Sequence, residues 1–160
     1  MDLFNHRLRL HADPSRVVVR PFHIAHSAMN GQGQSRSQRM IDEVLAMTPQ
    51  QAHEQLSAVL KDFEARHWQT RRVFTTRYEE IAEAHGLDAS EMSEEKRQLI
   101  GAYFCHEYSY AAAALMNPSA VPHPDQSGMP PGSQRIVMSL RAVGEGHISS
   151  VAFREGIITD

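Results

Sequence analysis

The sequence predicts an α+β protein in which a helical region of two to three helices precedes a β-hairpin. Apolar residues recur at spacings of three and four through the middle of the chain, which is typical of amphipathic helices. Two segments rich in β-branched residues flank a glycine-containing turn near the C-terminus, which predicts the hairpin. The predicted boundary separates a helical extension (1–116) from a sheet region (117–160).

The first elements of the extension are a short strand and a linker. Residues 16–20 form a β-branched run that Pro21 stops, so a strand is predicted there. Residues 29–37 are polar with two glycines and are predicted to be a linker.

Three helical segments are predicted after the linker. The first covers about residues 38–46, and the second begins at Thr48-Pro49 and reaches Gly86, with a break expected near residues 68–72 because of its length. The third is capped by Ser93 and continues to the Asn117-Pro118 pair. The aromatic residues of these helices, including Trp68, are expected in the core.

The C-terminal region is predicted to contain two strands, 135–143 and 147–153, joined by a three-residue turn at 144–146. Five of the eight prolines lie within residues 118–133, so this stretch is predicted to be a loop. Because an isolated hairpin is marginally stable in water, the strands are expected to belong to a larger sheet.

Composition excludes several classes of protein. A net charge of −3 without a basic cluster argues against a nucleic-acid surface, and no apolar run is long enough for a membrane helix. Cys105 is the single cysteine, so neither an intrachain disulfide nor a thiolate zinc cluster is predicted. The N-terminus lacks the apolar core of a secretory signal, and a cytoplasmic location is expected.

Two short motifs each have a functional and a structural interpretation. Cys105-His106-Glu107 suggests a metal site or a Cys/His pair, but adjacent residues of a helix point about 100° apart and do not converge, so no metal site is predicted. The pair His123 and Asp125 suggests acid-base chemistry, although such pairs in loops commonly form turn hydrogen bonds.

Taken by themselves, Asn117 before Pro118 indicates a turn that ends a helix, and Arg141 indicates a solvent-exposed strand residue.

Three segments of the C-terminal region resemble one enzyme family. They are ALMNPS at 114–119, HPDQ at 123–126 and SLRAVGEGHISS at 139–150. Together they resemble the start of the catalytic region of the mannoside phosphorylase and mannosidase family, glycoside hydrolase family one hundred and thirty. Residues 16–22 and the pair Arg66-His67 are similar to the bacterial subgroup with a long helical N-terminal extension.

The resemblance implies a fold and a site. Members of this family are five-bladed β-propellers with an axial pocket for a mannoside, so residues 117–160 would begin the first blade. Matched positions imply that Asn117, Arg141 and, more weakly, Ser119 bind the sugar. His123, Asp125 and His147 are expected at the pocket rim.

The family's chemistry is inverting attack at the anomeric carbon by phosphate or water, with an acid that protonates the departing oxygen. That acid is an aspartate in a Glu-Asp-Pro-Arg-like motif on a later blade, and no Glu-Asp-Pro occurs in these 160 residues. The chain is therefore expected to be an N-terminal portion without turnover of its own and without a catalytic residue. No cofactor is implied, and inorganic phosphate would be a co-substrate in a phosphorylase.

Two alternatives remain from the sequence. The amphipathic helices also fit a self-contained interaction module, with a homo-oligomer formed through the helical region. A non-catalytic sugar-binding protein that keeps Asn117 and Arg141 is the other. The choice between phosphorolysis and hydrolysis, and the linkage of the sugar, stay open.

Overall fold

The computed structural model describes residues 7–24 and 35–159. These residues contain four α-helices and five β-strands. In chain order they are β1 (Val17–Pro21), α1 (Arg36–Leu45), α2 (Pro49–Glu64), α3 (Thr70–His85), α4 (Glu94–Tyr103), β2 (Cys105–Ser109), β3 (Ala114–Pro122), β4 (Ser133–Val143) and β5 (Ser149–Thr159). Short 3₁₀ turns lie at Ala89–Glu91 and Glu145–His147. The predicted α+β class is confirmed. The predicted number of helices, two to three, is lower than the four that the described residues form.

The starts of α2 and α4 follow the local capping chemistry that the sequence predicts. The Thr48 hydroxyl accepts from the Gln51 backbone N–H at 3.2 Å, and the Gln51 side chain accepts from the Thr48 N–H at 2.9 Å, which is a complete capping box. Ser93 caps α4 with a single bond, in which its hydroxyl accepts from the Lys96 backbone N–H at 3.4 Å. Helix α3 ends at Gly86, whose φ of 65° is the left-handed conformation that glycine adopts without steric cost.

The expected break in the long helix lies between Glu64 and Thr70, slightly earlier than predicted. The Thr70 hydroxyl donates to the His67 carbonyl at 2.6 Å and stabilises the connection. Trp68 in this connection is 90% exposed, so the prediction that it belongs to the core was wrong.

The predicted third helix is also too long, because residues 105–109 form strand β2 and β3 begins at Ala114. A longer helix would need the Phe104 carbonyl to accept from the N–H four residues later. Instead that carbonyl accepts from the Phe22 N–H at 2.7 Å and from Arg77 Nε at 3.1 Å. Strand β2 pairs with β1 in a two-stranded sheet.

The predicted linker at 29–37 overlaps the start of α1. Ser35 accepts from the Gln38 N–H at 3.1 Å and caps the helix, so Arg36 and Ser37 are helical. Residues 29–34 lie outside the described residues.

Strands β3, β4 and β5 form a three-stranded antiparallel sheet in that order. The predicted hairpin is therefore joined by a third strand, and residues 118–122 are strand rather than loop. Strand β3 pairs only with β4 and is therefore an edge strand of this sheet. Proline is tolerated at an edge because its missing N–H can face the unpaired side of the strand, where no hydrogen bond to a neighbouring strand is needed.

The chain divides into two compact units. One contains Val19–Glu107, with a core of α1 to α4 side chains that includes Ile41, Phe74 and Leu99. The other combines residues up to Val18 with those from Tyr108 onward and has a small core of Ala111, Ala142 and Ala152. The boundary expected at residue 116 lies inside β3. Among the described helices, none has both the length and the apolar character needed to cross a bilayer.

Candidate functional site

Asn117 lies in an irregular step of strand β3. The pairing with β4 shifts between Met116, opposite Arg141, and Ser119, opposite Ser139, so two residues of β3 face one residue of β4. This is a β-bulge, and such bulges commonly re-aim side chains near functional sites. Asn117 has a φ of 53°, a region in which asparagine is enriched among non-glycine residues. The expected helix-ending turn is thus a bulge in an exposed strand.

Arg141 lies on β4 between the edge strands, opposite Met116 and Val151. Its Nε donates to the Ser149 hydroxyl at 3.1 Å, and Nη2 donates to the same oxygen at 2.9 Å. A guanidinium has five N–H donors, and these two contacts orient the group while engaging only part of that set. The side chain is exposed, so the remaining donors are open to a ligand.

Ser119 lies opposite Ser139, which is two residues from Arg141 on β4. It is exposed, and its backbone carbonyl accepts from the Ser139 hydroxyl at 3.5 Å. The structure therefore brings Asn117, Ser119 and Arg141 together on two adjacent strands. This is the group that the family resemblance assigns to sugar binding.

His147 lies in the turn that follows β4, at the same end of the sheet as Arg141. It is exposed with a φ of 60°, and its N–H donates to the Gly144 carbonyl at 3.2 Å. Gly144 is buried, and a Cβ there would overlap the Tyr108 hydroxyl oxygen. Tyr108 donates to the Glu145 carbonyl at 3.2 Å, so close packing fixes the position of this turn.

His123 and Asp125 lie at the opposite end of the sheet. They contact Arg135, which is six residues from Arg141 along β4, or about 20 Å. The Asp125 N–H donates to His123 Nδ1 at 2.9 Å, and Glu155 Oε1 lies 3.5 Å from His123 Nε2. The structure does not place these two residues beside His147, and their polar groups are used in turn hydrogen bonds.

Asp125 is poorly suited to donate a proton near neutral pH. Hydrogen bonds from the Ser127 side chain and backbone hold the pKa of Asp125 below its ordinary value, and Arg135 acts in the same direction. A general acid needs a raised pKa instead.

The Cys105-His106-Glu107 motif lies on a strand and not on a helix, so consecutive side chains alternate between the two faces. Burial raises the pKa of the Cys105 thiol to about 11, which keeps it protonated and weakly nucleophilic at neutral pH. No group of three or more histidine, cysteine or carboxylate side chains suited to a metal ion occurs within residues 7–24 and 35–159.

Sequence reasoning missed a charge cluster around Glu107. Glu107 Oε1 accepts from Arg66 Nε at 2.8 Å and lies 2.7 Å from His67 Nε2. The contacts join β2 to the connection between α2 and α3, about 40 positions apart in the chain. The hydrogen bond from Arg66, assisted by that from His67, holds the pKa of Glu107 below its ordinary value. The adjacent pair Arg66-His67 was noticed in the sequence, but its partner was assigned to a helix.

Replacing Glu107 by glutamine is expected to lower the free energy of unfolding by about 1–2 kcal/mol near neutral pH. The native pKa is depressed, so the unfolded state binds more protons here. The stabilisation is present above the unfolded pKa of about 4.3 and is lost as the pH falls through the lower native pKa. Urea titrations near neutral pH and at about pH 3 should show the wild-type advantage shrinking in acid.

Glu43→Gln is the matched control, since Glu43 is exposed and lies 3.7 Å from Arg39 in a surface ion pair. Its effect should stay below about 0.5 kcal/mol at both pH values. Equal losses in the two variants, or a Glu107→Gln loss that persists unchanged in acid, would argue against a structural role for the Glu107 charge.

The comparisons with known proteins give no family assignment. Searches against protein-family models, curated proteins and solved structures found no match to this chain.

Proposed function

We propose that this chain is the N-terminal portion of a glycosidase or glycoside phosphorylase acting on β-mannosides. The β3-β4-β5 sheet would begin the first blade of a five-bladed β-propeller, with Asn117, Arg141 and Ser119 contributing to the sugar site. The observation that carries the proposal is the Arg141 guanidinium, held by Ser149 next to the Asn117 bulge on an exposed strand. Several fixed donors and an amide near one another suit the hydroxyl groups of a sugar.

The exposed face of the sheet supports the propeller part of the proposal. The register places Val121, Val151, Phe153 and Ile157 on one face, and all four are more than half exposed. Exposed apolar patches of this kind usually mark a contact surface. Packing against the next blade would cover them, and because Arg141 pairs with Val151 on this same face, that blade would form one wall of the Arg141 site. Propeller blades are four-stranded antiparallel sheets, one strand more than the described residues form.

The proposal assigns no catalytic residue to this chain. Asp125 has a lowered pKa and lies at the far end of the sheet from Arg141. The proton donor, and arginines for phosphate if the reaction is phosphorolysis, would come from later blades. A cytoplasmic location stays part of the proposal, on the basis of the single cysteine.

A mannoside assay tests the proposal. Purified chain is incubated with β-1,4-mannobiose, with and without inorganic phosphate, and mannose and mannose 1-phosphate are quantified by chromatography. We expect no product above a blank, because the acid is missing. Turnover by the chain alone would show that its residues include a proton donor and would refute this assignment.

The same assay on the protein extended through in-frame downstream codons tests the site. Arg141→Ala is expected to lower kcat/KM by roughly a hundredfold, about 2.7 kcal/mol of lost transition-state stabilisation. Arg39→Ala, a change in an exposed α1 residue, should leave it unchanged. Equal activity of the two variants would remove Arg141 from the site.

A self-contained helical interaction module is the second candidate, and one observation favours it. The unit Val19–Glu107 has its own core, which indicates that it can fold alone. The continuous long helix that first suggested this function is broken, however, into α2 and α3. Size-exclusion chromatography with light scattering separates the candidates, because a stable defined oligomer supports the module.

A further inference from the structure

Trp68 is the most exposed large apolar side chain in the described part of the chain, at 90%. It lies in the connection between α2 and α3 and lines a surface cavity of about 370 Å³ together with Glu64 and residues 67–72. This volume is within the range of small-molecule sites. Tryptophan is largely buried in most proteins, so an indole left open beside a cavity indicates a surface that a ligand can cover.

The groups around the indole are hydrogen-bonding side chains. Arg71 Nε donates to Glu64 Oε1 at 2.9 Å, and both side chains are about half exposed, so a donor and an acceptor are presented side by side. Arg72 adds a second guanidinium, for which the described residues supply no hydrogen-bond or ion-pair partner. The lining therefore combines one flat apolar surface with paired donors and acceptors.

This combination selects among ligand classes. A purely apolar ligand would leave Glu64 and Arg71 desolvated without new partners, which is costly. A small anion such as phosphate would pair with Arg72 but has no apolar surface with which to cover the indole. A neutral sugar ring has an apolar C–H face that can lie on an indole and a rim of hydroxyls that both donate and accept.

We propose that this cavity binds a neutral oligosaccharide, with one ring against Trp68 and its hydroxyls contacting the Glu64–Arg71 pair and Arg72. The lining residues belong to the unit Val19–Glu107, whereas Asn117 and Arg141 belong to the other unit. The site does not depend on the proposed catalytic function. It adds a second carbohydrate-binding surface, on the helical extension.

Intrinsic fluorescence gives a direct readout, because Trp68 is the only tryptophan in the chain. The chain is titrated separately with β-1,4-mannotriose, cellotriose and inorganic phosphate. A saturable change in emission with either trisaccharide, and none with phosphate, is expected, and the two sugars distinguish mannose from glucose preference. Saturation by phosphate, or no change with either sugar at tens of millimolar, would overturn the proposal.

Variants measured by calorimetry locate the binding. Trp68→Ala is expected to weaken binding about tenfold or more, which corresponds to about 1.4 kcal/mol, while Trp68→Phe should retain most of the affinity. Arg72→Ala should weaken binding several-fold, whereas Arg39→Ala, a change in an exposed α1 residue, should match wild type. Because the side chain is exposed, Trp68→Ala should keep the wild-type melting temperature.

Three results would contradict the assignment. Wild-type affinity in Trp68→Ala would place the sugar elsewhere, and equal weakening by Arg141→Ala would assign the signal to the sheet site. If Trp68→Ala instead changes only the oligomeric state in light scattering, the surface is a protein contact and the saccharide proposal fails.

Discussion

Replacing Gly101 by alanine is expected to lower the free energy of unfolding of the helical unit by about 3 kcal/mol, the upper end of the usual cost of overpacking. A Cβ at this position would overlap the Phe74 carbonyl oxygen and lie 2.7 Å from the carbonyl carbon. Both atoms belong to the backbone of α3, so no side chain can rotate away and α4 has to move as a whole. Helix propensity alone predicts the opposite sign, since alanine is about 1 kcal/mol better than glycine inside a helix.

Denaturation followed by the helical circular dichroism signal measures this effect, with Gly86→Ala as the control. Gly86 has a φ of 65°, and a methyl group added there would have no atom within 4 Å, so only the conformational cost of about 1–2 kcal/mol applies. A Gly101→Ala protein as stable as wild type would show that α3 and α4 do not approach this closely.

Replacing Phe74 by alanine is expected to cost about 3–5 kcal/mol, because a large side chain leaves a cavity in a packed core. Phe74 is fully buried on α3 and contacts the Phe63 ring edge-on at a centroid distance of 5.5 Å. The loss includes this aromatic contact as well as the burial of the ring. The unfolding midpoint in urea and the slope of the transition report the change.

Trp68→Ala is the control for Phe74→Ala, since both remove an aromatic ring from the same unit. Trp68 is exposed, so its removal should change the free energy of unfolding by less than about 0.5 kcal/mol. Similar losses in the two variants would mean that the core assigned to Phe74 is not formed as described.

Local chemistry made the starts of α2 and α4 and the end of α3 predictable. The Thr48-Pro49 start and the Ser93 cap depend on bonds between residues three apart, and the Gly86 stop depends on one residue's conformational freedom. Such features can be inferred from a short window of sequence.

Features set by distant partners were not predictable in this way. Strand β2 replaces the expected helix because the Phe104 carbonyl is bonded by Phe22 and Arg77, which lie far away in the sequence. The Glu107 cluster was missed for the same reason, since Arg66 and His67 are about 40 positions away. Tertiary contacts overrode local preference in both cases.

The backbone geometry around the candidate sugar-site residues was not predicted. The constraint of Pro118 on the preceding residue was recognised, and it suggested a helix end at Asn117. The structure meets the same constraint with a bulge in β3, which the sequence alone could not distinguish. The exposed position of Trp68 was not predictable either, because its apolar character favoured the core.

The DNA sequence that follows codon 160 tests the central claim most directly, namely that the β3-β4-β5 sheet begins a propeller whose proton donor lies on a later blade. We predict an in-frame continuation that encodes further antiparallel strands and a Glu-Asp-Pro-Arg segment. A stop codon in that position, or a continuation that lacks this segment, would contradict the account.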